Sequence, residues 1–317
     1  MTPSSGRLPH GLGSLLRAYF PLLLTMIVWG VTYALTRNAV RHVGPLPAAM
    51  LRFGLGSAVL LAVLAIGDRA LPRIPAGSGR RLVAGGLLGV ALYNVLFFVG
   101  LGLAPSIDAA ALMPVAAPIA TAGLAFLVLG ERLRPARAAG LGLGIAGAAV
   151  YLAAAPVSAD YPDRLVGDLI LLVAAVVWGG YTLMGRPLMG AMGPMRATTW
   201  TVVLGSIVLV AIGIPAATGI DWAAQPPDLW LTILFLGAIS TGIGYTGYYR
   251  GVRDVGPTAA ALAMLLLPVT GAAAAIVLLG ESIAPAQIAG ALVMAAGAFL
   301  AIVAAPPAVP GAAGRRA

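Results

Sequence analysis

The 317 residues contain no cysteine and no lysine; all 19 basic residues are arginine. Without cysteine there are no disulfides and no thiolate metal ligands. The arginine-only basicity, beside abundant alanine, glycine and proline, reads as genomic composition bias rather than function. Charge is scarce. At 9% charged residues, against roughly a quarter in a soluble domain, the chain could not clothe a water-facing surface. Histidine is nearly absent as well, and His10 and His42 both fall outside the apolar runs. No acid pair sits deep inside those runs. An intramembrane hydrolase or metalloenzyme needs such groups converging on one point. The inventory therefore argues against an enzyme and supplies no catalytic residue, metal site or cofactor site. The apolar–polar alternation of a membrane β-barrel is missing. So is any ATP-binding signature, which leaves a gradient as the source of drive.

What is present is hydrophobic sequence, 60% of the residues, with a mean hydropathy of +0.99. The chain reads as an integral membrane protein. A spanning helix takes about 20 mainly apolar residues. By that measure spans fall at 19–40, 46–67, 82–104, 107–129 and 136–155, then at 167–186, 194–216, 229–250, 257–279 and 286–305. Residues 1–18 are expected to be a disordered cytoplasmic N-terminus, 156–166 an outer linker and 306–317 a cytoplasmic tail. Arg7 and Arg17 before an apolar run resemble a signal peptide. The run continues to about Val40 without a small-x-small cleavage site, so it reads as a retained first span. With the N-terminus inside, fifteen arginines lie in inner segments and three, Arg37, Arg41 and Arg164, in outer loops. That asymmetry follows the positive-inside rule. It predicts a multi-pass protein of the bacterial inner (plasma) membrane, with both termini cytoplasmic, Ser78 inside and Ser158 outside. It also accounts for the net charge of +9 without nucleic acid.

Much of the sequence occurs twice. Leu129-Gly130-Glu131, Pro135-Ala136 and Ala139-Gly140 return as Leu279-Gly280-Glu281, Pro285-Ala286 and Ala289-Gly290 at a constant offset of 150. Pro118 and Gly147 return as Pro268 and Gly297. At an offset of 149, Trp29-Gly30, Arg37, Gly44-Pro45 and Gly56-Ser57 return as Trp178-Gly179, Arg186, Gly193-Pro194 and Gly205-Ser206. So many matches in register mean an internal duplication, with repeat 1 over 19–155 and repeat 2 over 167–305. Five spans is an odd number, so the second repeat enters from the opposite side and the two are inverted. Inverted repeats around a midplane site are a recurring transporter plan, because two pseudo-symmetric halves can rock to expose the site alternately.

Ten spans in two repeats, each with Trp-Gly then Arg in its first helix and Pro, then Leu-Gly-Glu, in its fourth, resemble the EamA family of drug/metabolite transporters. The resemblance covers residues 20–305, and Arg52 stands where that family commonly has an arginine in its second helix. It implies an all-α membrane protein with ten transmembrane helices in two inverted five-helix repeats. It also implies a carrier with a central cavity, often an exporter of amino acids or other small metabolites. Symmetry fails at one point, where Thr201 in the second repeat answers Arg52 in the first. An arginine in one half only reads as functional.

Candidate substrate-binding residues are the polar and aromatic groups at depth, since hydrocarbon penalises polar side chains and a carrier cavity needs a few of them. Trp29 lies roughly 15 Å into its helix at 1.5 Å per residue, and Trp178 at a matching depth from the other side. Interfacial belts hold tryptophan at the headgroups instead. Gly30 and Gly179 beside them permit close backbone approach or a bend. Tyr33 and Tyr181 belong to the same two helices. The third and eighth spans are unusually aromatic: Tyr93, Asn94, Phe97 and Phe98 answer Tyr245, Tyr248 and Tyr249. Tyr93 and Phe97 share a helix face, as do Tyr245 and Tyr249. A buried tyrosine hydroxyl or asparagine amide needs a partner, which a wet cavity or a neighbouring helix supplies.

Met113 and Met264 offer adaptable apolar contacts, while Pro114, Pro118 and Pro268 fall where they would kink the fourth and ninth helices. Arg52, roughly 9 Å below the outer end of its span, either snorkels outward, holds a substrate carboxylate or ties the carbonyls of a kinked helix. Glu131 and Glu281, at helix ends, read as solvated or paired, with Arg132 and Arg134 close to Glu131. Gly142-x-Gly144-x-x-Gly147 spells the dinucleotide fingerprint, but no strand precedes it and it lies inside an apolar span. With Gly140 it reads as a helix-packing face.

The expected function is secondary transport, most simply export of small organic solutes such as amino acids or related metabolites by alternating access. The alternatives are a proton-coupled drug/metabolite antiporter and a channel-like facilitator; a channel would favour rings of charge or carbonyls along a pore. Expected partners are the small-molecule substrate and the lipid bilayer, not nucleic acid, with a homodimer left open. Asp108 and Asp168 sit near helix starts and no acid occupies the middle third of a span. Exchange or facilitated transport without obligatory proton coupling is therefore expected.

Overall fold

The computed structural model describes residues 12–68, 74–130, 134–156 and 159–304, apart from the side chains of 12–18, Asp68, Leu129, Pro257 and Thr258. Glu131, Arg132, Ser158 and the 306–317 tail lie outside the described residues. Among the described residues, ten helices are long and apolar enough to cross a membrane. They are α1 (Leu12–Val43), α2 (Pro45–Asp68), α3 (Gly79–Leu103), α4 (Ser106–Leu129) and α5 (Pro135–Ala153), followed by α6 (Arg164–Met192), α7 (Pro194–Ala216), α8 (Pro227–Val255), α9 (Pro257–Ala263 continuing into Leu267–Leu279) and α10 (Pro285–Val303). A helix satisfies every backbone group within its own segment, which hydrocarbon demands.

Two edges differ from the hydropathy reading. Helix α1 already includes Leu12, the first described residue, inside the tract expected to be disordered to residue 18, where Leu12, Leu15 and Leu16 extend the apolar run. Helix α6 begins at Arg164, inside the expected linker, because Arg164 finds a buried carboxylate and needs no water-facing loop.

Glycines end several of the helices. Gly44, Gly193 and Gly256 take φ of 82°, 82° and 89°, and each precedes the proline that opens the next helix. Proline at a first helical position gives up an N–H that had no partner there, so two residues reverse the chain. Gly130 and Gly280, at φ 65° and 67°, end α4 and α9 in the left-handed conformation. The repeated Leu-Gly-Glu is a helix stop followed by a carboxylate.

The strongest helix pairings cross between the repeats in matched sets: α4 with α6 and α9 with α1, α3 with α6 and α8 with α1, α3 with α7 and α8 with α2. Helices α5 and α10 pair with each other, as do α2 and α7. Exchanging each helix for its copy in the other repeat maps this set onto itself, as a two-fold relation between inverted repeats requires. Small residues bring the helices together. A Cβ on Gly140 would stand 2.7 Å from Ala301 N of α10, and one on Gly290 would stand 2.6 Å from Tyr151 N of α5. Gly144, Gly147 and Gly297 share this seam, while Gly142 faces open space. Of the fingerprint-like glycines, Gly144 and Gly147 belong to a packing face.

Two local departures were not visible in the apolar pattern. Helices α3 and α8 each contain a π-helical segment, Leu87–Leu92 and Phe235–Ile243, at equivalent places in the two repeats. The prolines, by contrast, act unequally. Pro114 and Pro118 lie within one continuous α4, whereas a 3-10 turn at Met264–Leu266 interrupts α9 just before Pro268.

Candidate functional site

The Trp-Gly pairs set up the centre of the molecule. A Cβ on Gly30 would meet Gly271 N at 2.9 Å, and one on Gly179 would meet Thr121 N at 2.9 Å. The glycines thus seat α1 against α9 and α6 against α4, backbone to backbone. The neighbouring tryptophan, about 100° round the helix, turns into the space between the repeats. A cavity of about 120 Å³ lies there. That is several times the space one water needs and below the roughly 300–1,000 Å³ of drug-sized pockets.

Helix α1 contributes Trp29, Thr32 and Tyr33 to the wall, α2 contributes Arg52 and Phe53, and α3 contributes Tyr93, Asn94 and Phe97. Met113, Pro114 and Ala117 come from α4, Trp178 from α6, Ser240 and Tyr245 from α8, and Met264 and Leu267 from α9. The aromatic contacts cross the repeat boundary. Trp29 stands 5.5 and 5.2 Å from Tyr245 and Tyr248 between ring centroids, and Trp178 stands 4.9 Å from Tyr93.

Tyr181, Tyr248 and Tyr249 are not on the wall. They lie three or four residues beyond Trp178 and Tyr245, one turn nearer the end where α6 meets α7. Tyr181 Oη and Thr201 Oγ1 are 3.3 Å apart, Tyr249 bonds Thr198, and Tyr248 donates to Met264 Sδ at 4.0 Å. Pro118 and Pro268 are also off the wall.

Arg52 donates to Thr36 Oγ1 at 3.3 Å, and its guanidinium carbon lies 5.0 and 5.9 Å from the ring centroids of Phe53 and Phe98. Such contacts offset part of the cost of holding a cation at membrane depth. Its Nε has no acceptor, and among the described residues no carboxylate pairs with it. A guanidinium lining a cavity without an anion is half of an ion pair.

Sequence reasoning missed Thr32 and Ser240, whose hydroxyls are 2.8 Å apart and join α1 to α8. Ser240 O also accepts Trp29 Nε1–H at 3.0 Å, and Asn94 donates to Val90 O at 2.8 Å. Both accepting carbonyls lie in the π-helical segments, where the extra residue leaves a backbone group free, a feature frequent at functional sites. The adjacent hydroxyls of Ser240-Thr241 inside an apolar run were the available signal.

A second polar site lies at the end of the bundle where α4 and α6 begin. Asp108 accepts Arg164 Nε and Nη2, each at 2.7 Å, Tyr151 Oη–H at 2.7 Å and Gln287 Nε2–H at 3.4 Å. Arg164, read from the sequence as a loop arginine, is helical and 7% exposed. Asp168, one turn further along α6, is fully buried beside this pair. Glu281 accepts Ser106 N–H and Oγ–H at 3.0 Å and Ile107 N–H at 2.8 Å. It thereby satisfies first-turn donors of α4 and ties the α9–α10 turn of repeat 2 to repeat 1. Arg37 bonds Leu101 O and stands over the Tyr161 ring at 5.0 Å, and Arg41 donates to Tyr161 Oη at 2.9 Å. Among the described residues no group of three or more His, Asp or Glu side chains converges as a metal site would need.

The sequence profile of the EamA-like transporter family matches residues 16–153 and again 165–303, once per repeat. The chain belongs to this family. EamA-like relatives include the uncharacterized transporter YyaM of Bacillus subtilis (strain 168), 26% identical over 80% of this chain and 83% of its own. A probable terminal-alkyne amino-acid exporter of Streptantibioticus cattleyicolor is 27% identical over 90% and 93%. A probable amino-acid metabolite efflux pump of Salmonella typhimurium is 28% identical over 89% and 93%. A solved crystal structure aligns with a TM-score of 0.64 over 93% of this chain and 99% of its own at 24% identity, which shows a shared fold. The protein is therefore a multi-pass membrane transporter of ten helices in two inverted EamA-like repeats.

Proposed function

We propose that this EamA-like protein is a secondary carrier that exports small zwitterionic or anionic metabolites, amino acids first among them, by alternating access around the Trp29–Trp178 cavity. The observation that carries this reading is Arg52, a cavity guanidinium without a protein carboxylate. A substrate carboxylate would complete that pair with charge-assisted hydrogen bonds. A substrate ammonium would lie against the faces of Trp29, Trp178, Tyr93 or Tyr245, and an apolar side chain against Met113, Met264 and Phe97. A purely cationic drug would meet Arg52 with no acid to offset it. The names of the two relatives linked to amino acids point the same way.

The contacts at the two ends support alternating access. Where α4 and α6 begin, the Glu281–Ser106 and Asp108–Arg164 bonds join the repeats, as does the bond from Asn38 to Asp228. Toward the other end, the bonds of Tyr181 and Tyr249 stay within repeat 2. This arrangement suits a state closed at the first end.

The arginine asymmetry supports that closed end as the outer one, with both termini in the cytoplasm of the inner membrane. In this cysteine-free chain, an impermeant thiol reagent applied to intact cells should label Ser158→Cys and spare Ser78→Cys. The opposite pattern would reverse the orientation.

For the substrate, the test is counterflow in proteoliposomes against amino acids, nucleosides and cationic drugs. Saturable, exchange-stimulated flux of amino acids is expected. Alanine at Trp29, Trp178, Tyr93 or Tyr245 should lower apparent affinity roughly 3- to 30-fold, the range of a lost cation–π contact, at near-normal membrane abundance. Undiminished transport by all four variants would remove the cavity from the mechanism. The same vesicles carrying a pH gradient at zero membrane potential decide coupling: exchange without uphill accumulation is expected.

A further inference from the structure

Asp168 has no role in the cavity and no donor of its own. It is 0% exposed, and neither carboxyl oxygen has a hydrogen-bond partner. Arg164, one turn earlier on the same helix, holds the Asp108 carboxylate through two 2.7 Å bonds and so keeps a second acid beside it. Two carboxylate groups are both acceptors, so a hydrogen bond between them needs a proton. The surroundings leave no other source for one. Asp108 already takes two bonds from Arg164, one from Tyr151 and one from Gln287.

The helices packed around Asp168 can be taken in turn. Helix α4 presents Asp108, α5 presents Tyr151, α10 presents Gln287, and α6 itself presents Arg164. From α3, Gly100, Leu103 and Ala104 pack on this stretch of α6. Glu281, Asp160, Arg37, Arg41 and Tyr161 line a hollow that Arg164 also borders, where Glu281 is engaged with Ser106, Arg37 with Leu101 and Tyr161 with Arg41. One arginine thus serves two carboxylates. With both ionised, the cluster would hold a net negative charge among Leu171, Ala104, Ile107, Tyr151 and Gln287, all 0% exposed. With one proton it is neutral, which a dry site strongly favours.

We propose that Asp168 and Asp108 form a proton-binding site in the seam between the repeats, and that the bound proton locks this end of the transporter closed. When α4 and α6 part, Asp168 meets water and releases its proton to the bath on that side. When they close, it takes one proton from the same bath. The closed form binds a proton that the open form lacks, so acid favours closure and alkali favours opening, by up to about tenfold per pH unit for one proton. The assignment does not depend on which substrate the cavity carries. It also differs from uphill proton coupling, because the proton enters and leaves on one side.

The test uses the full-length protein with Ala104→Cys, a position buried in the closed seam. Labelling by an impermeant thiol reagent should rise more steeply with pH in this protein than in Asp168→Asn, whose amide supplies the missing donor at every pH and leaves only the slower rise from the thiol's own ionisation. Equal pH slopes with and without Asp168→Asn would refute the assignment. Infrared difference spectroscopy gives a readout that a merely structural carboxylate would not move. At neutral pH the otherwise native protein should show the carbonyl band of a buried, protonated carboxyl. That band should disappear in Asp168→Asn and persist in Asp228→Asn, an exposed control. Should Asp168→Asn fail to fold, the native spectrum decides alone, because absence of the protonated band at neutral pH overturns the proposal.

Discussion

An Arg164→Met variant is expected to lose about 3–5 kcal/mol of stability at neutral pH, the usual consequence of removing one partner from a buried ion pair. Two 2.7 Å bonds to Asp108 disappear with the guanidinium. What remains is a fully buried carboxylate holding only Tyr151 and Gln287, with Asp168 beside it. The loss should shrink in the double variant Arg164→Met/Asp108→Asn, which removes the stranded charge. Reversible unfolding in mixed micelles, read by tryptophan fluorescence, gives both comparisons. A neutral-pH midpoint equal to that of the unaltered protein would show that this pair does not hold the repeats together.

Arg52→Gln should do the reverse, weakening transport without loss of stability. A charge-assisted hydrogen bond to a substrate carboxylate contributes about 1.5–3 kcal/mol, so apparent affinity should fall roughly 10- to 100-fold. The protein itself loses only a 3.3 Å bond to Thr36 and two contacts with phenylalanine rings, and it sheds an uncompensated cation. Its unfolding midpoint should hold or rise. Lysine at this position keeps the charge but not the planar fork, and should restore affinity only in part. Counterflow of an amino acid against its methyl ester isolates the carboxylate. The unaltered carrier should prefer the acid, and Arg52→Gln should treat the two more nearly alike. If Arg52→Gln keeps full preference for the acid, the arginine has another purpose.

The ten helices and their inverted order were legible because membrane insertion is read locally. Each run of apolar residues favours hydrocarbon on its own account, whatever it later packs against. The depths of Trp29, Trp178, Tyr93 and Tyr245 followed from counting residues along a helix. Their meeting at one cavity was suggested by the duplication, which gives equivalent residues equivalent depths. The differences are just as local in origin. Tyr181, Tyr248 and Tyr249 were grouped with their neighbours by sequence distance, but one helical turn separates the cavity wall from the layer beside it. Arg164 was counted as a loop residue because hydropathy cannot see the carboxylate that lets it enter the helix.

Sequence alone determined the span number, the inversion of the repeats, the glycine stops at Gly130 and Gly280 and the isolation of Arg52 in one repeat. Each depends on a residue's transfer energy or backbone preference, and those act without distant partners. Only the tertiary structure decided that Asp108 meets Arg164 and Asp168, that Glu281 caps α4 at Ser106 and Ile107, and that α3 and α8 carry π-helical segments. The physical reason lies in how these helices are built. They are apolar on almost every face, so no periodicity marks which side turns inward. Rotation and partner are then set by small-residue contacts such as Gly30 against Gly271 and Gly179 against Thr121. Those contacts join residues far apart in the chain, and they exist only once the two repeats have packed together.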